Sequence, residues 1–481
     1  MEAGKRNIND VFSGTMRLEI PFFQRSYVWG ETEWERFLED IEAACVNREP
    51  YFMGSLILKQ KATTTDIKVG NVRLVVDGQQ RLTTLSILMK VLSLKSGETR
   101  KFERQFILVD DKPAMLHNHN DEAAYNRIMM LTELYKPLET ETDGITKAYD
   151  FFRTNADTSR LDFDSICNLI YFVGIDLNYD EDEQQIFDTI NSLGVRLTTA
   201  ELLKNYFFGR NDIESYQKDW LEIFEKDEDT RAYWDQLVTT GRYTRTYIDL
   251  FFYSFLMIKI QDSRYEVSTE HKIQYSKVDR LFESYKSFIK KYGHDDKATI
   301  LKEIREYALK FQKVISAEPL KDELPAEAGI SRLNAIMFEL DTATLIPYVL
   351  YLEMNVPDLN VRNEMYGFLE AYIMRRLVTR QTTKNYNHLF SERLILNRVL
   401  TKEDLAQAIL DNDASVNRMP TDAEVMEAFH TSILTNRYAS GVLYLIESKI
   451  RNRAKYSTQL LGISKYSLEH MMPKKCPYGI I

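Results

Sequence analysis

Cysteine is scarce in this sequence. Only three cysteines occur among 481 residues, at Cys45, Cys167 and Cys476, and no two of them form a Cys-x-x-Cys pair. This spacing argues against a disulfide framework and against a zinc knuckle, and it is compatible with a reducing compartment. We therefore expect a cytoplasmic protein.

Long apolar runs are absent as well. The first ten residues are polar, and the most apolar later stretch, residues 250–260, includes Ser254 and Lys259 and is too short to span a bilayer. We expect no membrane partner, and we expect residues 250–260 to form a buried helix. The sequence also lacks a Gly-x-x-x-x-Gly-Lys-Ser/Thr loop, which excludes a P-loop NTPase. It has no Gly-x-Ser-x-Gly nucleophile elbow either.

An excess of positive charge is missing too. The net charge is −10, from 62 Lys and Arg against 72 Asp and Glu, which is not typical of a protein that coats nucleic acid. Basic residues nevertheless cluster in two places. These clusters comprise Arg375, Arg376, Arg380, Lys384, Arg393 and Arg398, and then Lys449, Arg451, Arg453 and Lys455. Each cluster either binds phosphates or forms a solvated helix face, and the sequence leaves both open.

The most informative stretch that is present is residues 74–85. A β-branched apolar run ends at Gly78, and leucines then recur at helical spacing from Leu82 onward, which predicts a buried strand that turns into a helix. The turn carries one carboxylate, two amides and one guanidinium, from Asp77, Gln79, Gln80 and Arg81. A helix N-terminus has free N–H groups that favour anions, so this turn is a candidate anion site.

A second polar cluster lies upstream, in residues 20–29. Pro21 fixes the backbone, so this segment is extended or a turn rather than a helix interior. Donors and rings alternate there, in Phe22, Phe23, Gln24, Arg25, Tyr27 and Trp29. The mixture suits recognition of a phosphate or a base, and it suits equally an aromatic mini-core beneath an N-terminal loop.

A third candidate segment spans residues 187–198. Thr198 and Glu201 have capping-box spacing, which predicts a helix that begins near Thr199. The preceding turn, from Asn191 to Gly194, would then lie against the N-terminus of that helix. The residues His117, His119 and Asp121 are close enough in sequence to coordinate a metal ion. Their polar surroundings favour a loop without a metal.

In this order the three segments resemble the GmrSD-type family of modification-dependent (type IV) restriction proteins, including its phosphorothioate-sensing Ssp-type relatives. The family marks are Ile-Pro-x-x-x-Arg at Ile20, Pro21 and Arg25, Asp-Gly-Gln-Gln-Arg at residues 77–81, and Asn-Ser-x-Gly-x-x-Leu at residues 191–197. The resemblance covers nearly the whole chain. It implies a ParB/sulfiredoxin-like N-terminal domain that hydrolyses nucleoside triphosphates, followed by an HNH nuclease domain.

The resemblance also implies roles for individual residues. The candidate catalytic residues are Asp77, Gln79, Gln80 and Arg81. In the expected mechanism Asp77 orients Mg²⁺ or an attacking water, Gln79 and Gln80 position the water or a phosphate, and Arg81 pairs with the phosphate oxygens. Nucleotide contacts are expected from Gly78, Thr83, Thr84, Asn191 and Gly194. Modified double-stranded DNA is expected to be read by Ile20, Pro21, Gln24, Arg25, Tyr27 and Trp29. The implied cofactor is a nucleoside triphosphate with Mg²⁺.

The C-terminal segment, residues 467–473, looks like the opening of the HNH domain, with Glu469 and His470 as its carboxylate and histidine. An HNH site also needs a later metal ligand, and the sequence ends at Ile481. We therefore expect an incomplete nuclease whose other half is lost by truncation or supplied by another chain.

The expected fold class is α+β. It consists of a ParB/sulfiredoxin-like α/β lobe over residues 1–210, a large all-helical domain over 211–465, and the start of an HNH domain over 466–481. Within the lobe, residues 101–160 are expected to form a helical insertion. The expected function is anti-phage defence by nucleotide hydrolysis coupled to sensing of modified DNA. The alternative is a non-catalytic nucleotide- and DNA-binding sensor or regulatory module that acts with a separate nuclease partner. The expected protein partner is a second copy of the chain or that separate nuclease.

Overall fold

The computed structural model describes residues 2–22, 24, 26–61, 71–178, 198–209, 212–240, 243–294, 296–410, 417–452, 454–455 and 458–468. The chain divides into two compact units, Met1–Ile213 and Glu214–Ile481. The first unit combines a sheet with helices and the second is mainly helical, as expected for an α+β chain with a helical second half.

The first unit is built on a six-stranded mixed sheet. Its strands are β1 (Glu2–Asn7), β2 (Met16–Glu19), β3 (Tyr51–Gln60), β4 (Asn71–Asp77), β5 (Met115–Leu116) and β6 (Ile170–Leu177). They lie in the order β1-β6-β3-β4-β2-β5. Strands β3 and β4 pair antiparallel, while β3 with β6, β2 with β4, and β2 with β5 pair parallel. The strand predicted before Gly78 is therefore confirmed as β4, which pairs with β3.

Eight helices of the first unit are described. They are α1 (Ile8–Val11), α2 (Glu31–Asn47), α3 (Gln79–Ser96), α4 (Thr99–Phe106), α5 (Glu122–Met129), α6 (Gly144–Asn155), α7 (Phe163–Leu169) and α8 (Thr199–Phe207). Helix α3 lies at the centre of the unit, since Leu82, Leu85 and Leu88 are completely buried in the main core cluster. The predicted strand-to-helix turn is thus the join between a sheet strand and the central helix.

Residues 101–160 differ from the predicted insertion. They are largely helical, but they belong to the same hydrophobic core, to which Phe102, Phe106 and Tyr149 contribute fully or almost fully buried rings. They also supply β5, the edge strand that pairs with β2. The polar residues that suggested an insertion occupy the outer faces of amphipathic helices, so composition alone concealed the buried faces.

The second unit is a set of packed helices. They are α9 (Ile213–Tyr216), which continues as a π-helical stretch over Gln217–Glu225, α10 (Glu228–Trp234), α11 (Tyr247–Gln261), α12 (Thr269–Tyr275), α13 (Leu281–Lys291), α14 (Lys297–Val314), α15 (Ile330–Phe338), α16 (Ile346–Asn355), α17 (Leu359–Val378), α18 (Tyr386–His388), α19 (Leu394–Leu396), α20 (Lys402–Leu410), α21 (Asp422–Thr431) and α22 (Asn436–Ile450). Single 3₁₀ turns span Val278–Arg280, Glu318–Lys321, Ala343–Leu345 and Ile463–Lys465, and a second π-helical stretch spans Leu389–Arg393.

This unit is not entirely helical, contrary to the prediction. Strands β7 (Leu237–Thr240) and β8 (Tyr243–Thr246) form an antiparallel pair directly before α11. Helix α11 covers the apolar stretch 250–260, and it is buried as predicted, including Ser254 and Lys259. Among the described residues, no helix combines the length and the apolar character that a membrane crossing requires.

A buried ion pair joins three helices of the second unit. Arg332 on α15 is completely buried, and its Nη2 lies 2.6 Å from Oε1 of Glu370 on α17. The same guanidinium donates to the carbonyl of Leu445 at 2.8 Å and to Oγ of Ser448 at 2.8 Å, both on α22. A buried charge of this kind needs such complete pairing, because an unpaired charge in the interior is costly.

Three arginines of the two basic clusters bond to other groups of the protein. Arg376 is completely buried, and it donates to the carbonyls of Arg418 and Thr382 at 2.9 and 2.6 Å. Arg375 bonds to Asp422 and Arg451 to Glu447, so these three cations already have protein partners. Complete burial removes Arg376 from any phosphate-binding surface.

Candidate functional site

The join between β4 and α3 depends on Gly78. Its φ of +103° lies in the left-handed region, which glycine adopts without strain. A Cβ at this position would lie 2.8 Å from Cδ1 of Leu56, so close packing against β3 requires a glycine as well. The strand can therefore turn directly into the central helix with Asp77 and Arg81 on the two sides of the turn.

Asp77 and Arg81 form an ion pair across this turn. Nη2 of Arg81 lies 2.9 Å from Oδ2 of Asp77, and Oγ of Ser55 donates to the same oxygen at 2.8 Å. Nη1 of Arg81 donates to the carbonyl of Met53 at 3.2 Å. Both charged side chains remain about one-fifth exposed, at 19 and 20 %, so the pair is accessible from the surface. The structure thus brings two predicted catalytic residues together.

Gly54 makes room for the Arg81 guanidinium. Its φ is +106°, and a Cβ here would lie only 2.2 Å from Nη1 of Arg81. The strand pairing of β3 is irregular at this point, between Phe52 and Ser55. Sequence reasoning missed both Gly54 and Ser55, although a glycine inside a strand is a known signal of a bulge or a close approach.

Gln80 connects the motif to the upstream loop. Its Oε1 accepts hydrogen bonds from the backbone N–H groups of Val28 at 2.9 Å and Trp29 at 3.4 Å. Its Nε2 donates to the carbonyl of Ser26 at 3.4 Å. Both ends of the amide are therefore used to hold residues 26–29 at the start of α3. The predicted role in placing water or phosphate stays a prediction.

Tyr27 attaches the same loop to the interior of the unit. Its side chain is buried, its hydroxyl lies 2.6 Å from Oγ1 of Thr84, and it accepts a hydrogen bond from Nε1 of Trp34 at 2.7 Å. Burial raises the pKa of the Tyr27 hydroxyl well above its usual range. Its backbone N–H donates to Oδ2 of Asp121 at 2.6 Å. Tyr27 is thus placed to support the loop from inside the unit.

Thr83 and Thr84 lie in the interior of the unit. Thr83 Oγ1 donates to the carbonyl of Gln79 at 2.8 Å and lies 2.9 Å from Nε2 of His117. Thr84 Oγ1 donates to the carbonyl of Gln80 at 2.8 Å. Both threonines are completely buried. This placement differs from the predicted direct contact with a nucleotide, because the hydroxyls bond to protein groups.

The polar triplet His117, His119 and Asp121 supports the loop and does not form a metal centre. Burial lowers the pKa of His117 to about 3, so the ring is neutral. Nδ1 of His119 lies 3.0 Å from the carbonyl of Phe22, and the backbone N–H of His119 donates to the same oxygen at 2.8 Å. In the part of the chain that the structure describes, no group of three His, Cys, Asp or Glu side chains is arranged to hold a metal.

The remaining residues of the upstream segment are divided between core and surface. Ile20 is buried and pairs through its N–H with the carbonyl of Leu116 at 2.9 Å. Pro21 and Trp29 are half-buried, and the Trp29 ring packs edge-on against Phe37. Arg25 lies outside the described residues. Both alternatives that the sequence left open, a recognition loop and an aromatic mini-core, thus fit part of this segment.

Helix α8, which follows the third segment, contacts the upstream loop. Thr198 caps it as predicted, since its Oγ1 accepts from the N–H of Glu201 at 3.2 Å and its own N–H donates to Oε2 of Glu201 at 2.8 Å. Nδ2 of Asn205 on this helix donates to Oε1 of Gln24 at 2.8 Å. Gln24 is therefore buried between the loop and α8. Asn191 and Gly194 lie outside the described residues, as do Glu469 and His470.

Residues 8–208 match the family model of the GmrSD restriction endonuclease, N-terminal domain. The match spans all three segments. The match covers less than half of the chain, and over these residues the chain is similar to the N-terminal domain of a restriction endonuclease family. No curated protein matches the chain.

A nucleotide with Mg²⁺ is chemically compatible with this GmrSD-like site. The two hydrogen bonds that Asp77 accepts here both fall on Oδ2, which leaves Oδ1 for a cation. Mg²⁺ in nucleotide sites is commonly held by one or two carboxylates together with phosphate oxygens and water, so a single aspartate suffices. Arg81, with its guanidinium one-fifth exposed, suits phosphate oxygens.

Proposed function

We propose that the first unit, residues 1–213, binds and hydrolyses a nucleoside triphosphate in response to modified double-stranded DNA, as part of a restriction-type defence system. One observation carries this proposal. The amide of Gln80, inside the Asp-Gly-Gln-Gln-Arg motif, holds the backbone of residues 26–29, inside the candidate DNA-reading loop. The two candidate activities therefore share a direct structural connection.

The chemistry of phosphoryl transfer needs mainly positioning and neutralisation of charge. In the proposed site, Arg81 would contact phosphate oxygens and Asp77 would hold Mg²⁺, which would supply positive charge at the phosphates. Ser55 and the carbonyl of Met53 fix these two side chains from β3, and Gly54 leaves the space that Arg81 occupies. The described residues thus provide orientation as well as charge.

Coupling between the two ligands follows from the shared loop. A DNA ligand that contacts the loop and changes the position of residues 26–29 would act on Gln80, and through it on the start of α3. By linkage, a nucleotide that orders the start of α3 then changes the affinity for DNA by the same factor. Asn205 and Gln24 extend this connection to α8.

A second candidate function is a sensor that holds a nucleotide without hydrolysing it. The observation that favours it is that Oδ2 of Asp77 is already occupied by Ser55 and Arg81, and that no metal-binding cluster occurs among the described residues. In that case Arg81 and the N-terminus of α3 would bind phosphate, while no group would activate water.

Measurement of phosphate release by the full chain separates the two functions. The chain is incubated with Mg²⁺ and each of the four common ribonucleoside triphosphates, alone, with unmodified duplex, and with phosphorothioate-containing or base-modified duplex. Release that rises with modified DNA and disappears in Arg81→Gln supports the proposal. Nucleotide binding without release supports the sensor, and neither binding nor release contradicts both.

A matched control is Arg100→Gln. Arg100 is an exposed arginine on α4 of the same unit and lies outside the motif. Its replacement removes one positive charge without touching Asp77, Gln80 or the loop. If Arg100→Gln lowered phosphate release as much as Arg81→Gln, general charge rather than the motif would explain the loss.

A further inference from the structure

The second unit has a polar surface segment that the proposed function does not use. Residues 380–388, called the basic segment below, connect α17 to the π-helical stretch Leu389–Arg393 and include the short helix α18. Most of its side chains are exposed, namely those of Arg380, Thr382, Thr383, Lys384, Asn387 and His388. The segment therefore offers a row of hydrogen-bond donors to solvent.

Carboxylates are missing from this part of the sequence. About one residue in seven of the chain is acidic, 72 of 481, yet no Asp or Glu occurs in residues 371–391. The flanking acids are already engaged, since Glu370 pairs with buried Arg332 and Glu392 lies 3.8 Å from Nδ1 of His388. A chain with a net charge of −10 thus keeps a local positive potential at the other end of the basic segment, around Arg380 and Lys384.

Two cations of the basic segment are available to a ligand. The side chains of Arg380 and Lys384 are exposed, and neither makes an ion pair or a hydrogen bond within the described part of the chain. Arg375, only five residues before Arg380, pairs instead with Asp422. An oxyanion that approaches Arg380 or Lys384 therefore does not have to displace a protein carboxylate from them.

The backbone of the basic segment is fixed from inside the unit by Arg376. The buried guanidinium donates to the carbonyl of Thr382 at 2.6 Å and to the hydroxyl of Tyr386 at 3.1 Å. The N–H of Tyr386 donates to the carbonyl of Thr383 at 3.0 Å. These bonds hold the chain on both sides of Lys384, so that a ligand would find the segment already ordered and would lose less affinity to ordering it.

Neutral donors belong to the same segment. Oδ1 of Asn387 accepts hydrogen bonds from the hydroxyls of Tyr253 and Ser391, each at 3.2 Å, which fixes the amide and leaves its N–H groups for solvent. Thr383 is exposed as well. Arginine, lysine, threonine and asparagine side chains are the groups that proteins use on the phosphates of nucleic acids. The composition of the segment therefore suits a backbone of repeated phosphates.

We propose that the basic segment binds the phosphate backbone of duplex DNA. Arg380 and Lys384 pair with phosphate oxygens, and Thr383 and Asn387 add neutral hydrogen bonds. Because phosphates carry no sequence information, this contact strengthens the binding of modified and unmodified duplexes equally. It differs in this respect from the candidate DNA-reading loop of the first unit. The inference rests on the proposed function in one point only, the choice of DNA as the polyanion.

Fluorescence anisotropy with a short labelled duplex tests this proposal on the full chain. The duplex is unmodified, phosphorothioate-containing or base-modified, nucleotide is left out, and the titration is repeated at several salt concentrations. One variant combines Arg380→Gln with Lys384→Gln. Its matched control combines Lys277→Gln with Arg280→Gln, which removes the same charge from two exposed positions on either side of Asp279 in the sequence.

A second pair of variants leaves both cations in place. Thr383→Glu introduces a carboxylate into the basic segment, and Thr383→Gln introduces a neutral side chain of the same size. The Thr383 side chain is exposed and makes no hydrogen bond within the described part of the chain, so both variants should keep the melting temperature of the unchanged chain.

The expected result is a loss of affinity that is equal for all three duplexes. The variant that lacks Arg380 and Lys384 should bind about tenfold more weakly at low salt. Its slope of log affinity against log salt concentration should become shallower by about two, roughly one for each lost phosphate contact. Thr383→Glu should also weaken binding, whereas Thr383→Gln and the control pair should bind as the unchanged chain does.

Four outcomes would overturn the proposal. They are the absence of duplex binding, an equal loss in the control pair, an equal loss in Thr383→Gln and Thr383→Glu, and a loss with duplex RNA but not with DNA, which would assign the segment to RNA. A failure of the proposed function is read separately, as missing phosphate release. A chain that releases phosphate but binds DNA independently of Arg380 and Lys384 contradicts this inference alone.

Discussion

Oε1 of Gln80 lies 2.9 Å from the backbone nitrogen of Val28, although 52 residues separate the two in the chain. Val28 is exposed, whereas Gln80 belongs to the first turn of the central helix. A glutamine amide that bonds to backbone atoms is insensitive to the side chains of the loop. The side chains of residues 26–29 can therefore vary without loss of the hydrogen bonds that attach this loop to Gln80.

Replacement of Gln80 by leucine should separate the loop from the motif. The variant loses hydrogen bonds that each contribute about 0.5–1.5 kcal/mol. We expect the ratio of DNA-stimulated to basal phosphate release to fall about threefold or more, and residues 26–29 to be cut faster by protease. Arg81→Gln should instead lower both rates. An unchanged ratio in Gln80→Leu would show that the contact does not couple the two sites.

Replacement of Gly54 by alanine should displace Arg81. The new Cβ would lie 2.2 Å from Nη1 of Arg81, and the backbone would be strained at a φ of +106°. Because the end of the arginine side chain can move, we expect a moderate loss of stability, about 1–2 kcal/mol, and a larger loss of phosphate release.

A double-mutant cycle with Arg81→Ala tests the physical reason for this effect. If Gly54→Ala acts through the guanidinium, it should cost less stability in the Arg81→Ala background, because only the backbone strain remains there. Equal costs in the two backgrounds, measured by denaturant unfolding, would show that the contact between Gly54 and Arg81 has no part in the loss.

Removal of one partner from the Arg332–Glu370 pair should strongly destabilise the second unit. Glu370→Leu leaves the guanidinium of Arg332 buried without its counter-charge, and we expect a loss of about 3–5 kcal/mol. The double variant Arg332→Met with Glu370→Leu should recover much of that loss, because it leaves no charge in the interior. A double variant as unstable as the single one would contradict this account.

The burial of His117 should make the first unit less stable in acid. Its pKa is lowered from 6.5 to about 3. Between these two pH values His117 is protonated in the unfolded state and neutral in the folded state. Stability is therefore complete above pH 6.5 and falls as the pH drops toward 3, by at most about 1.4 kcal/mol per pH unit from this group.

The difference between the unchanged chain and His117→Gln isolates this contribution. The nearby Asp121 acts in the opposite direction, since burial raises its pKa, so the comparison is best made between pH 6.5 and 5. The slope of unfolding free energy against pH should decrease in His117→Gln and stay the same in His430→Asn, a replacement on α21. A slope that His117→Gln leaves intact would show that His117 is protonated in the folded state.

Local signals in the sequence were sufficient for the elements that carry the motif. The apolar run before Asp77, the break at Gly78 and the leucine spacing after it predicted the strand, the turn and the helix, and Thr198 with Glu201 predicted the start of α8. These signals depend on backbone dihedral angles and hydrogen bonds within a few residues, which a sequence displays directly. The three motif segments could also be read from the sequence, together with the resemblance to GmrSD proteins.

Only the tertiary structure decided which groups meet. Pairing of β3 with β4 places Ser55 and Gly54 beside Arg81, and the packing of α3 buries Thr83 and Thr84 while it leaves Asp77 accessible. Packing between elements also buries Arg376 and places side chains of residues 101–160 in the core. Contacts between distant residues depend on how whole helices and strands pack, and the periodicity of a single element does not contain that information.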